Sequence, residues 1–238
     1  GVSSIPNHCA TYVSSDFAVS PPFIYNCYVH ESFDVGDAFP GANTAFSLDL
    51  YAVVKNSLTN LALCPYTTTV AMAMAWAGAR GKTADQIAAT LGFPFRDERL
   101  HAAVASLAGS VRSAQSADVQ LDAGNSLWVQ KGFPLLDAFI ALLKDRYDTT
   151  ITPVDFQNRV AMARRDIDDW IRTKTRGYIT ALKGELAPLT RLLVLSAIHF
   201  KAKWLYPFRH ERTLESPFHA SLRDTVMVPM MTRRLLLP

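Results

Sequence analysis

From Leu192 to Phe200 every residue is apolar except Ser196 and His199, and this run constrains the fold more than any other feature of the chain. It is too short to cross a bilayer as a helix, which takes about 20 apolar residues. It has no helical period, and it is entered from the polar turn around Thr190. A short continuous apolar run of that kind predicts a strand buried on both faces, in the middle of a sheet. Beyond it, Lys201 and Lys203 alternate with Ala202 and Trp204, so the strand is expected to run on with one face in water until Pro207 ends it.

Around that strand the sequence predicts a mixture of helices and strands. Residues 1–42 hold Pro6, Pro21, Pro22 and Pro40 and no stable apolar period, and are read as an extended or partly disordered arm. Asn43 is placed as the cap of a first helix reaching about Ser57, with Phe46, Leu50, Tyr51 and Val54 on one face. A second helix, from Pro65 or Tyr66 to Ala79, has no polar face and belongs inside the protein, with Met72, Met74 and Trp76 as core filling. Thr83 and Gln86 form a capping-box pattern for a third helix that Gly92 closes. Residues 98–116 suit a fourth helix, and from Val119 to Val129 apolar residues alternate as in a half-buried strand. Pro134 is placed at the start of a helix carrying Leu135, Phe139, Leu142, Leu143 and Tyr147. Thr149 to Val154 reads as a short strand, Asn158 to Thr175 as a helix with Ile167, Trp170 and Ile171 inward, and Thr225 to Met231 as the last strand. These segments do not form regular βαβ units, so the class is α+β.

Composition excludes more than it selects. The 24 basic residues exceed the 21 acidic ones by 3 but are dispersed, and Arg164, Arg165, Lys144 and Arg146 each sit among acids as on a solvated helix face. A nucleic-acid partner is not expected, and neither is a membrane-spanning helix. The three cysteines do not make a disulfide framework, although Cys9 and Cys27 could pair in a secreted protein, and no Asn-x-Ser/Thr site supports secretion. His8 with Cys9 and Cys27 with His30 look like two half zinc sites, but match no zinc spacing, so no metal is assigned. Gly81-Lys82-Thr83 imitates the end of a phosphate-binding loop; the loop's first glycine would fall at Trp76, and a helix, not a strand, precedes it. No Gly-x-Ser-x-Gly, His-Glu-x-x-His or Cys-x-x-Cys pattern occurs, and no nucleophile and base can be paired, so the chain is not expected to be an enzyme. His199 is read as a core histidine.

Taken in order, the motifs resemble the N-terminal two-thirds of a serpin. Asn43 with Phe46, Leu50 and Tyr51; Cys64-Pro65-Tyr66-Thr67 with Ala71, Met74 and Gly78 to Gly81; Asn125, Phe133-Pro134-Leu135 and Val154-Asp155-Phe156 all follow the family pattern. So do Trp170, Thr175, Gly177, Leu193 to Ile198, Phe200 to Trp204, Phe208, Phe218 and Val228 to Met231. The resemblance divides the chain into an unassigned arm at 1–42, a serpin region at 43–232 and an atypical tail at 233–238.

That resemblance implies a metastable sheet, a reactive loop cut by a serine protease, and insertion of the loop as a new strand that traps the protease. It implies one side of the insertion gap at Leu193, Val194, Leu195, Ala197, Phe200 and Lys201. It puts Trp204 where insertion begins, and Cys64, Thr67 and Ser196 in the small-residue cluster that lets the sheet part. The family prefers serine at the positions of Cys64 and Thr67 and asparagine at that of Ser196. No cofactor is implied, and the extracellular location is carried over from the family. The reactive loop is not among these residues, so the chain is expected to be a fragment or truncated product, not inhibitory alone, with its central strand edge bare and prone to self-association. A carrier or chaperone serpin and a truncated interaction module are the alternatives.

Overall fold

The computed structural model describes residues 7–14, 35–55, 61–220 and 223–234, with the backbone alone described for 7–14 and 35–37. The described residues divide into two compact units, those up to 201 and those from 202 on. In the larger unit the order is β1 (Asn7–Ser14), α1 (Val35–Val54), α2 (Pro65–Gly78), α3 (Gly81–Thr90), α4 (Glu98–Ser113), β2 (Val119–Gln130), α5 (Asp137–Tyr147), β3 (Thr149–Val154), α6 (Val160–Lys174) and β4 (Leu192–Ala202). The smaller unit is an antiparallel hairpin of β5 (Thr213–His219) and β6 (Thr225–Met231), in register from Thr213 opposite Met231 to His219 opposite Thr225.

The four strands of the larger unit form one mixed sheet in the order β1-β4-β2-β3. β2 and β3 run parallel, and β1 runs antiparallel to β4. Period-2 alternation sends neighbouring side chains to opposite cores. Leu127 and Val129 of β2 and Val194 of β4 join a core with Val70, Ala71 and Met74 of α2, Leu100 and Val104 of α4, and Leu143 of α5. Trp128 of β2 and Leu193 and Leu195 of β4 join a second core with Ile167 and Ile171 of α6. Helices therefore cover both faces of the sheet, which is why the middle of β4 is continuously buried. The α+β class and mixed sheet with surrounding helices hold.

Several expectations are corrected. The segment read as a coil-like arm contributes β1, and α1 starts at Val35, with Asn43 inside it and not at its cap. Pro40 caused the misreading, because an interior proline forfeits a helix hydrogen bond; it lies in the second turn, where that bond would reach only to the helix's first residues. Tyr51 is 55% exposed and leaves the predicted inward face. α3 begins at Gly81 with no side-chain cap, so Thr83 is already helical and makes no capping box. Gly81 has φ of +55°, which lets the chain turn straight out of α2. α5 begins three residues after Pro134, at Asp137. β5 was missed, because Thr213 to His219 includes Glu215 and Pro217 and has almost no buried residue to mark it. β4 stops at Ala202, so Trp204 lies beyond the strand.

Other local signals hold. α2 has no exposed position before Gly78, and Trp76 closes against Phe93 edge-on at 6.1 Å while its Nε1 donates to the Ala84 carbonyl at 3.1 Å. α4 is capped by Asp97, whose carboxylate accepts from the Arg99 amide at 2.9 Å. Asp97→Ala should lower the midpoint of chemical denaturation; no change would show that the exposed cap is idle.

Candidate functional site

β4 is the organising element, and its polar residues divide by face. Leu193, Val194, Leu195 and Ala197 are buried, Phe200 is 38% exposed, and Lys201 is exposed. Ser196 is buried and, by alternation, falls on the Val194 face toward α2. His199 falls on the opposite face with Leu193 and Leu195. It is 1% exposed and stacks on Tyr178 with ring centroids 5.5 Å apart.

On the α2 side, Cys64 is the half-buried residue just before the helix, and its thiol makes no cap bond. The Thr67 hydroxyl, fully buried, donates at 2.9 Å to the Cys64 carbonyl, which also accepts the Thr68 amide at 3.4 Å. Cys64, Thr67 and Ser196 thus share the α2 side of the sheet, all small and none charged. Trp204 is 53% exposed and meets Phe208 edge-on at 5.3 Å.

The free side of β4, expected to be bare, carries β1. Eight residue pairs run from Asn7 opposite Phe200 to Ser14 opposite Leu193. What this arrangement can do chemically is accept an extended strand through backbone N–H and C=O groups. Among the described residues no group of three His, Cys, Asp or Glu could hold a metal ion, and no helix is long and apolar enough to cross a membrane.

α6 is tied over the other face by contacts the sequence did not reveal. The Arg176 guanidinium pairs with Asp122 at 2.6 Å and donates to Gln120 Oε1 at 2.9 Å, both on β2. The Lys174 side chain lies over Gly124, where an added Cβ would stand 2.9 Å from Lys174 Cδ and the lysine would have to shift. Arg164 pairs with Asp168 at 3.5 Å and donates to the Leu182 and Gly184 carbonyls, while Asp168 accepts from the Leu182 amide at 2.8 Å. In sequence these charges looked like a solvated face; a run of Arg and Asp four apart gives no sign that a distant loop supplies the carbonyls. Arg164→Ala should cost about 1.5–3 kcal/mol, the range for hydrogen bonds to charged groups, and speed amide exchange across 178–189. Unchanged exchange there would show that the loop is held without it.

Two buried histidines make stability depend on pH. Burial holds His101 below the ordinary histidine value, only partly opposed by Glu98, with Arg146 reinforcing the shift. Its Nδ1 lies 2.6 Å from the Tyr147 hydroxyl. Burial also lowers His199, with Arg176 and Lys201 adding to the effect and Asp122 opposing it. Both bind a proton more tightly when unfolded. Their contribution is therefore complete above about pH 6.5 and is lost as pH falls through the lowered folded values. The thermal midpoint should fall between pH 7.5 and 5, and fall less in the double variant His101→Gln/His199→Gln. An equal fall in both proteins would assign the loss to other groups.

The family described as serpin (serine protease inhibitor) matches residues 41–237. An uncharacterized serpin-like protein of Thermococcus kodakarensis is 36% identical over 190 residues, covering 80% of this chain and 44% of that protein. Serpin A3-2 of Bos taurus is 35% identical over 208 residues, covering 85% of this chain and 50% of the relative. Among solved structures, ovalbumin from emu (Dromaius novaehollandiae) superposes with a TM-score of 0.74 at 25% identity, covering 82% of this chain and 54% of that one. The chain spans about half the length of the curated relatives it matches. With its mixed sheet, its helices on both faces and its match across most of its length, the chain belongs to the serpin family.

Proposed function

We propose that the protein this chain belongs to is a suicide-substrate inhibitor of a serine-type endopeptidase. The protease serine attacks a peptide carbonyl in an exposed loop, forms the acyl ester and releases the new amino terminus. The freed loop then adds to the sheet beside β4 and carries the tethered protease with it, before water can cleave the ester. Membership of a family of serine protease inhibitors supports the target class. The observation that carries the strand-addition step is the edge of β4, buried on both faces through its middle and paired antiparallel with an eight-residue strand.

In this reading Cys64, Thr67 and Ser196 are the small side chains across which the sheet parts, and Trp204 is the aromatic group repacked where insertion starts. Released strain drives the step. The inhibitor acts outside the cell, as carried over from the family resemblance.

The test uses the full-length product, because this chain spans only half of its relatives. Incubated with trypsin-like, chymotrypsin-like and elastase-like proteases, it should form a complex of the summed mass that survives boiling in detergent. Cleavage of the loop without such a complex, by every protease tried, would make it a substrate and not an inhibitor.

A further inference from the structure

The turn that ends α6 is fastened to the adjacent strands β2 and β4 by side chains that no local pattern in the sequence announced. The helix closes through the Gly177 amide, which donates to the Arg172 carbonyl at 2.7 Å, and the Arg176 amide, which donates to the Thr173 carbonyl at 3.3 Å. That closure needs a left-handed residue just after the cap, a place that favours glycine, and Arg176 fills it with φ of +51°. Its guanidinium reaches Asp122 and Gln120, which ties the turn to β2. Two residues on, Tyr178 stacks on His199 with ring planes 27° apart, which ties the same turn to β4. The two ties differ in chemistry. The tie to β2 contains no histidine. The tie to β4 contains one that is 1% exposed, under a tyrosine that is 52% exposed and has water to swing into.

The groups around His199 oppose a charge on it. Arg176 faces it from the turn, and Lys201 lies two residues along β4, on the same face by alternation. Asp122 of β2 supplies an opposing acid but is already paired with Arg176. β1 brings a second histidine, His8, to the register position opposite His199. The π face of Tyr178 attracts a cation, but a charge held there would be dry and would face two like charges at once. Burial, Arg176 and Lys201 accordingly hold His199 below the ordinary histidine value. A group that binds its proton more weakly when docked than when released is itself released by proton uptake. We propose that Tyr178 over His199 is an acid-released clamp: when His199 gains a proton the tyrosine leaves β4, and residues 176–181 open while α6 and its tie to β2 stay in place. The claim does not depend on inhibition of any protease.

The test is residue-resolved amide exchange on the full-length product at pH 7.5 and pH 5, corrected for the intrinsic exchange rate. The Ile179 amide, held by Thr175 Oγ1 at 3.0 Å, reports the clamp. The amides of α4, which carries His101, report loss of the other core. On acidification the protection of Ile179 should fall about tenfold, and that of α4 less. His199→Phe keeps a ring under Tyr178 without a site for the proton, and should hold Ile179 protected at both pH values. Tyr178→Ala should lose that protection at both, and His8→Gln should respond like the parent. In the parent itself, the midpoint of the Ile179 change should coincide with the titration of the His199 ring followed by NMR, a readout that needs no variant to fold. The proposal is overturned if Ile179 protection falls no further than that of α4, if it falls as far in His199→Phe, if Tyr178→Ala keeps it, if His8→Gln abolishes the response, or if the two midpoints differ.

Discussion

Phe156→Ala should remove about 3–5 kcal/mol of stability, the cost of truncating a fully buried phenylalanine. At roughly 2–4 °C per kcal/mol for a chain of this size, the thermal midpoint should drop by about 6–20 °C. Phe156 lies in the turn between β3 and α6 and packs in the core that holds Trp128 and Ile167. The turn is stitched in place on both sides. Asp155 accepts from the Asn158 amide at 2.9 Å, and Gln130 Oε1 on β2 accepts from the Gln157 amide at 3.1 Å. A backbone so pinned cannot collapse into the void, so the loss belongs at the upper part of the range. A loss below about 1 kcal/mol would mean that α6 can settle onto the sheet without this anchor.

Leu195→Ala should cost about 2–5 kcal/mol, again read as a shift in denaturation midpoint. Leu195 is 1% exposed in the middle of β4 and joins the core under α6, with Leu193 and Leu186. Its loss removes contacts between the central strand and the helix that the proposed insertion must displace. Amide exchange should therefore rise along α6 and β4 together, and little in α4, which packs in the other core. Exchange rising evenly through both cores would show that they unfold as one unit.

Much of this architecture is legible in sequence because the signals are local. A mostly apolar run without helical period, entered from a polar turn, suits a strand buried inside a sheet, and Leu192 to Phe200 lies within β4. The Ala- and Met-rich stretch after Pro65 has no polar face, and α2 has no exposed position before its last residue. Alternation gave β2, β-branched residues gave β3, and the ordered motifs gave the family. In each case propensity and burial agree, so a window of about ten residues carries the answer.

What the tertiary structure decided is the set of partners. Asn7 to Ser14 holds no charge and no proline, yet only the open edge of β4 turns that composition into a strand. Arg164 reads as a surface charge until the Leu182 and Gly184 carbonyls are brought beneath it. His199, a polar residue in an apolar run, is held by stacking on Tyr178. The sequence by itself determined which segments must be buried, because the cost of exposing apolar surface is written in each residue. It did not determine which segment covers which, because backbone pairing and ion pairs depend on groups far apart in the chain and leave no local period to read.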